Sequence, residues 1–191
     1  MTYRVSRRIE IDAGHRIMTH GSKCRHLHGH RYAVEAVCEA GDLHHAGEQT
    51  DMVVDFGFLK EEMMTAVDAP CDHGFIAALA DRELLALFAP AGAGEAWLAA
   101  LADEVGRAGA AATCDTRLAT KLYVVPFQPT AECLARHWFD LLAEPVARRS
   151  GGAARLVAVR VWETPNCVAE YGGEGVTPPP GIPGARPSRP A

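Results

Sequence analysis

The chain has 191 residues, 48% hydrophobic and 23% charged, a balance that suits one ordinary domain with a real core and excludes a disordered or collagen-like polypeptide. A net charge of −5 without a concentrated Lys/Arg run argues against nucleic acid as the primary ligand and for a small molecule. Met1 to Ile17 carry charges throughout and no apolar run is long enough to span a bilayer, so the expectation is a cytoplasmic protein without a membrane partner.

The first element is a strand over Tyr3 to His15. Tyr3, Val5, Ile9, Ile11, Ala13 and His15 share one face, with only Arg7 out of pattern, and Arg4, Arg8, Glu10 and Asp12 take the other. Met18 to Leu27 is polar, holds Gly21 and Ser22, and reads as a loop that carries Cys24. A second strand begins at His28, with His28, His30, Tyr32, Val34 and Ala36 on its apolar face. Two residues advance a strand by roughly 6.6 Å, a gap that two imidazoles leaning together can close on one metal at about 2.0–2.1 Å per Zn–N bond.

Antiparallel pairing of these strands would bring His15 to His28 and His30. Three neutral nitrogens and one open position are how a catalytic zinc is held. The bland alternative, ordinary strand histidines, is weakened because His-x-His on one face meets a third histidine on the matching face. The six cysteines lack Cys-x-x-Cys pairs, which suits reduced thiols better than a disulfide framework. Cys24 alone adjoins the histidines in sequence. It is either a reactive thiol or the fourth ligand of a closed structural site.

Further along, Gly41 to Gln49 reads as a turn-rich loop whose His44 and His45 are solvated. Asp55 caps a helix whose stripe is Phe56, Leu59, Met63 and Val67, stopped by Pro70. Asp72-His73 follows, an acid–imidazole pair just past the helix end. Residues 77–112 are rich in Ala, Leu and Gly, with helical stretches at Arg82 to Phe88 and Glu95 to Val105. Lys121 to Val125 is a short β-like run, after which Thr130 caps a helix with Leu134, Trp138 and Leu141 facing inward. In Arg155 to Thr164, Val157, Val159, Val161 and Glu163 share one face. A carboxylate ending a valine-lined face is either partnered at the strand end or kept for a ligand's N–H groups. Thr164-Pro165-Asn166 turns the chain into a hairpin partner, Cys167 to Tyr171, and the Pro/Gly-rich tail over 172–191 lacks the apolar surface to fold.

Ala13-Gly14-His15-Arg16, Cys24-x-x-x-His28-Gly29-His30, Val54-Asp55-Phe56, Asp72-His73, Pro129-Thr130-Ala131-Glu132 and Glu163-Thr164 occur in this order. Together they resemble the 6-pyruvoyltetrahydropterin synthase/6-carboxytetrahydropterin synthase family over roughly residues 1–75 and 120–172. The resemblance implies an α+β tunnelling fold (T-fold): a four-stranded antiparallel sheet with two helices on one face, here with a helical insertion at about 77–112. It implies one domain over 1–171, and trimers, usually paired into hexamers, with active sites between subunits.

By the same resemblance His15, His28 and His30 hold Zn2+. Cys24, Asp72 and His73 carry the proton transfers, Glu163 anchors the pterin ring, and Thr164, Thr130 and Glu132 belong to the substrate site. A thiol beside a cation can act as a base, and an imidazole oriented by a carboxylate can exchange the second proton. The short tether between Cys24 and His28 resembles the queuosine-pathway branch. That branch implies a zinc lyase turning 7,8-dihydroneopterin triphosphate into 6-carboxy-5,6,7,8-tetrahydropterin, acetaldehyde and triphosphate. The alternatives are the 6-pyruvoyl product, without side-chain cleavage, and a non-catalytic structural-zinc protein. Arg16, Lys23 and Arg25 lie near the motif, but exposed Lys and Arg are usually solvated surface and are not assigned to the triphosphate.

Overall fold

A computed structural model of the chain describes residues 1–172. Two long strands, β1 (Tyr3–His15) and β2 (His28–Ala40), pair antiparallel along their whole length, from Tyr3 opposite Ala40 to His15 opposite His28. Their alternation is the cause: Ile9, Ile11, Ala13, Tyr32, Val34, Ala36 and Cys38 are all buried on one face. A one-residue slip would turn that set to water. β6 (Arg155–Thr164) pairs antiparallel with β2, and β7 (Cys167–Gly172) closes a hairpin on β6.

The helices of the apolar face are α1 (Phe56–Met63), a π-helical turn (Met64–Asp68), the short α2 (Ala69–Cys71) and the long α5 (Ala131–Arg149). Asp55 caps α1 by accepting the Gly57 and Phe58 N–H groups. Thr130 caps α5 by accepting the Cys133 N–H at 3.3 Å. Such caps satisfy donors that have no partner inside the helix.

Several expectations are corrected in detail. Among the described residues the sheet has seven strands, in the order β4 (Ala111–Thr113), β5 (Lys121–Val125), β3 (Gly74–Ala78), β1, β2, β6, β7. The four antiparallel strands expected for a T-fold are present as β1, β2, β6 and β7. β3 and β5 extend the sheet in parallel, and β4 returns antiparallel. The helix ends at Cys71, one residue past Pro70, and the π-helical turn before the proline already interrupts the i−4 ladder that the missing N–H would break. Phe56 is half-exposed, and Phe58 takes its place in the core. On α5 the inward residue is Leu142, continuing the four-residue step from Leu134 and Trp138, and Leu141 is partly exposed. On β6 a bulge opposite Val37/Cys38 sends Leu156 to the main core and Val157 to the other face, beside Val37. Gly172 belongs to β7, opposite Ala158, and the rest of the expected tail lies outside the described residues.

The insertion makes a second core. α3 (Arg82–Phe88) and α4 (Gly94–Ala108) bury Leu84, Leu85, Trp97, Leu98, Leu101 and Val105 against Ala77, Leu122 and Val124. The neighbouring strand residues Ile76, Tyr123 and Val125 point instead to the main core. β3 and β5 are thus covered on both faces. No described helix is long and apolar enough to cross a membrane.

Candidate active site

Register assembles the site. His15 and His28 end their strands opposite one another, and His30 faces Ala13, so three imidazoles meet where β1 and β2 enter the loop. Their ring centroids are 4.5, 5.1 and 5.0 Å apart, and one ligand atom from each lies within 4.8 Å of the others. Glycine permits this closeness: a Cβ on Gly29 would stand 2.9 Å from the Ala13 carbonyl oxygen, and one on Gly14 would stand 2.5 Å from the Phe75 ring.

The backbone fixes the tautomers. His15 Nδ1 lies 2.8 Å from the Pro129 carbonyl and His28 Nδ1 lies 2.8 Å from the His26 carbonyl. A carbonyl can only accept, so both Nδ1 atoms carry the proton and both Nε2 atoms present lone pairs. Those two Nε2 atoms face each other at 3.1 Å. Two lone pairs so placed can share a cation. A proton is a poor choice, because burial holds His15 down at about 4 against the opposing Pro129 bond, with smaller contributions from His28 and His30 in the same direction as burial. His30 is lowered by burial and by His28 as well. Neutral imidazoles oriented by backbone acceptors suit zinc, whose tetrahedral ligands stand about 3.3 Å apart.

The cluster opens into a cavity of about 290 Å3. His15, Cys24, Thr130, Glu132 and Glu163 line it, from four separate stretches of chain. Cys24 arrives on a 3-10 turn (Lys23–Arg25), and Glu163 arrives on β6, with Oε1 3.9 Å from His15 Nε2. Glu163 does not converge with the three imidazoles as a ligand atom. Burial raises its pKa, the Glu132 carboxylate raises it further and His28 opposes both. Two carboxylates at one wall form an acceptor edge suited to N–H donors.

The remaining expected residues stand elsewhere. Asp72 and His73 do not line the cavity. Asp72 Oδ1 accepts the Asp12 N–H at 2.9 Å, Asp72 Oδ2 accepts from His73 Nδ1 at 2.8 Å, and the His73 N–H donates to the Asp12 carbonyl at 2.8 Å. The pair sits beside Asp12 and Arg31, on the strand face away from the imidazoles, with His73 79% exposed. Burial works against ionising Asp72, but the Asp12 N–H and the His73 ring outweigh it and its pKa is lowered. Thr164 accepts the Asn166 N–H in the hairpin turn at 3.3 Å and does not line the cavity.

Other residues of the site had no signal of their own in the sequence. Ile17, His20, Cys167 and Val168 line the cavity because the loop and the β6–β7 hairpin fold over it. Lys121 donates to the carbonyls of Ala69 at 3.0 Å and Asp72 at 2.8 Å, holding the segment that presents His73 in its left-handed conformation at φ 55°. Only the strand pairing of Lys121 with Gly74 makes that contact visible.

Comparison with known proteins places this arrangement. A Rickettsia bellii protein named 6-carboxy-5,6,7,8-tetrahydropterin synthase is 32% identical over 165 residues, 86% of this chain and 96% of its own. A Haemophilus influenzae protein of the same name is 28% identical, covering 88% of this chain and 98% of its own. Among solved structures, an uncharacterized Wolinella succinogenes protein superimposes with a TM-score of 0.63 at 21% identity, over 91% of this chain and 99% of that one. The Caenorhabditis elegans 6-pyruvoyl tetrahydropterin synthase does so with a TM-score of 0.53 at 19% identity, over 91% and 97%. These two likenesses establish the T-fold. The profile of the 6-pyruvoyl tetrahydropterin synthase family matches residues 4–174, nearly the whole chain, and this protein therefore belongs to that family.

Proposed function

We propose that the protein is a zinc-dependent lyase that converts 7,8-dihydroneopterin triphosphate into 6-carboxy-5,6,7,8-tetrahydropterin, acetaldehyde and triphosphate, a step of queuosine biosynthesis. The observation that carries this reading is the convergence of His15, His28 and His30, with Nε2 lone pairs turned together, at the wall of a cavity shared with Cys24 and Glu163. The names borne by the Rickettsia bellii and Haemophilus influenzae relatives support the carboxylated product. A site that opens to a cavity also fits an enzyme better than a structural zinc closed by four protein ligands.

His15, His28 and His30 would hold zinc, which supplies Lewis acidity toward the substrate's side-chain hydroxyls when bound. Glu163, with Glu132 beside it, accepts hydrogen bonds from the amino and ring N–H groups of the pterin and fixes the ring while the side chain reacts. Thr130 borders the same cavity, its hydroxyl engaged in capping α5, and there shapes the ring's seat. Cys24 takes a proton from the side chain on one face. His73, oriented by Asp72, exchanges the second proton. Because Asp72 and His73 lie away from the Cys24 cavity, we assign this pair to the cavity of a neighbouring subunit, in a trimer or a pair of trimers. The span 1–171 acts as one domain in that assembly.

Incubation of the zinc-loaded protein with 7,8-dihydroneopterin triphosphate, with products identified by mass, tests the reading. Stoichiometric acetaldehyde beside the carboxylated pterin is expected. Accumulation of 6-pyruvoyltetrahydropterin without acetaldehyde would replace the product and leave the elimination chemistry in place.

A further inference from the structure

The loop between β1 and β2 has little of its own to hold it. Residues 18–23 are all exposed, and the 3-10 turn that carries Cys24 buries none of its residues. Its ends are fixed. Arg16, just before the loop, is anchored to Asp81 by two hydrogen bonds of 2.5 Å, and the Ile17 N–H donates to the Cys24 carbonyl at 2.8 Å, closing the loop on itself. Among the described residues, the only hydrogen bonds that join residues 18–25 to anything outside the loop go to one side chain, Gln128.

Gln128 Oε1 accepts the Met18 N–H at 3.1 Å, and Gln128 Nε2 donates to the Thr19 hydroxyl oxygen at 3.3 Å. A backbone N–H can only donate, so Met18 fixes which way the amide faces and leaves its NH2 group for Thr19. Gln128 is itself held in place. Its carbonyl accepts the Thr130 N–H at 2.7 Å, the next residue is the buried Pro129 whose carbonyl orients His15, and Thr130 caps α5. Residues 128–130 therefore meet the loop, an imidazole of the cluster and the start of a long helix within three positions.

We propose that Gln128 is a positioning residue whose amide straps the loop to the segment that orients His15 and so sets where Cys24 stands relative to the three imidazoles. The consequence for turnover rests on the proton transfer assigned to Cys24 under the proposed function; the strap rests on the hydrogen bonds alone. Gln128 does not line the cavity, whereas Ile17, His20 and Cys24 do, so it acts through the loop and not on a ligand. Bonds inside the loop carry its hold onward. The His20 N–H donates to the Ile17 carbonyl at 3.0 Å, and the Ser22 N–H donates to His20 Nδ1 at 3.0 Å. An exposed segment without buried contacts opens locally at small cost, and a catalytic group displaced by about 1 Å can lose on the order of a hundredfold in rate.

The test compares the zinc-loaded parent protein with Gln128→Met, which keeps the length of the side chain and removes both hydrogen bonds, and with Gln128→Glu, whose oxygens can accept from the Met18 N–H and the Thr19 hydroxyl. In Gln128→Met, kcat is expected to fall about tenfold to a hundredfold with KM changing far less, and exchange of the Ile17 and Ser22 amides, followed by NMR, to quicken about tenfold. Zinc content and melting temperature should stay as in the parent, and Gln128→Glu should recover most of both losses. Unchanged exchange at Ile17 and Ser22 in Gln128→Met would overturn the strap whatever the turnover. Zinc lost in step with activity would overturn it too, by making Gln128 a support for His15. Exchange that quickens in Gln128→Met and recovers in Gln128→Glu, in a protein whose parent form does not turn over 7,8-dihydroneopterin triphosphate, would sink the proposed reaction and keep the strap. Turnover by the parent, with kcat in Gln128→Met within twofold of it, would keep the reaction and remove Gln128 from the placing of Cys24.

Discussion

The two halves of the sheet are built on different principles. In the antiparallel half, β1, β2 and β6 bury one face under α1 and α5 and give the other to charge: Arg4 and Arg155 bracket Glu39, Arg160 lies between Glu35 and Glu170, and Arg8 stands 5.1 Å over the Trp162 ring. In the added half, β3 and β5 run parallel to β1 and are apolar on both faces, one against the main core and one against α3 and α4. That is the usual condition of parallel strands, whose crossover helices cover both sides. All three imidazoles are on the one-sided half. The added half supports them from behind, where β3 pairs Phe75 with Gly14 and Ile76 with His15, and supplies none of the three imidazoles.

Breaking the one-sided half should have the largest effect. His28→Ala is expected to lose bound metal and turnover together, since two imidazoles hold zinc poorly. Cys24→Ala should keep its metal and its melting temperature while turnover falls by about 10²–10⁴-fold, the range for removing a proton-transfer group. Metal content by plasma emission and a product assay decide both. Full zinc occupancy in the first variant would refute the ligand assignment, and activity within a fewfold of the parent in the second would remove Cys24 from the chemistry.

The same contrast explains what could be read from the sequence. β1 and β2 were legible because one face is buried and one charged, so their period of two stands out and predicts the meeting of His15, His28 and His30. β3, Gly74-Phe75-Ile76-Ala77-Ala78, has no such alternation, since Ile76 and Ala77 are buried in different cores, and its last two residues, Ala77 and Ala78, pass for the start of the helical insertion. The bulge that exchanges Leu156 for Val157 depends on β2 across the sheet, which no local pattern reveals. Asp72-His73 was visible as an acid–imidazole pair. Its separation from Cys24 is set by the parallel docking of β3 on β1, a long-range fact. Arg16 and Asp81 are sixty-five positions apart, and nothing in either neighbourhood points to the other.

A cut in the added half should separate stability from metal binding. Leu98→Ala removes a buried side chain of the second core, and is expected to cost about 2–5 kcal/mol in urea denaturation, as deletions that leave a cavity do. Hydrogen exchange should then quicken in α3 and α4 more than in β1 and β2, with zinc affinity nearly unchanged. A parallel fall in zinc affinity would mean that the halves behave as one cooperative unit.

A smaller effect is expected from acid. His137 on α5 lies 2.6 Å from the Tyr123 hydroxyl, at the seam between the halves, and burial lowers its pKa against the opposing charge of Asp140. Below about pH 6.5 the unfolded chain takes up a proton at this histidine that the folded one resists, so the contribution is present at neutral pH and lost as pH falls toward the lowered folded value. His137→Gln, which can still bond the hydroxyl, should flatten this part of the stability profile. An identical profile in the variant would show that His137 titrates alike in both states.

The least costly cut is on the charged face. Arg155 bonds Glu39 at 2.9 Å with its own side chain 68% exposed, and Glu39 keeps Arg4 at 2.7 Å as a second partner. Glu39 has its pKa lowered first by the Arg4 bond, against burial, and then by Arg155, so losing the weaker partner leaves the carboxylate paired. Arg155→Ala is therefore expected to cost no more than about 1 kcal/mol, and less at high salt, because an exposed ion pair gains little over water and is screened. Arg4→Ala takes away the stronger bond and should cost more. If Arg155→Ala alone proved as damaging as Leu98→Ala, the charged face could not be a solvated one. It would then have to be packed in the assembled protein, where an unpaired Glu39 would be cut off from water.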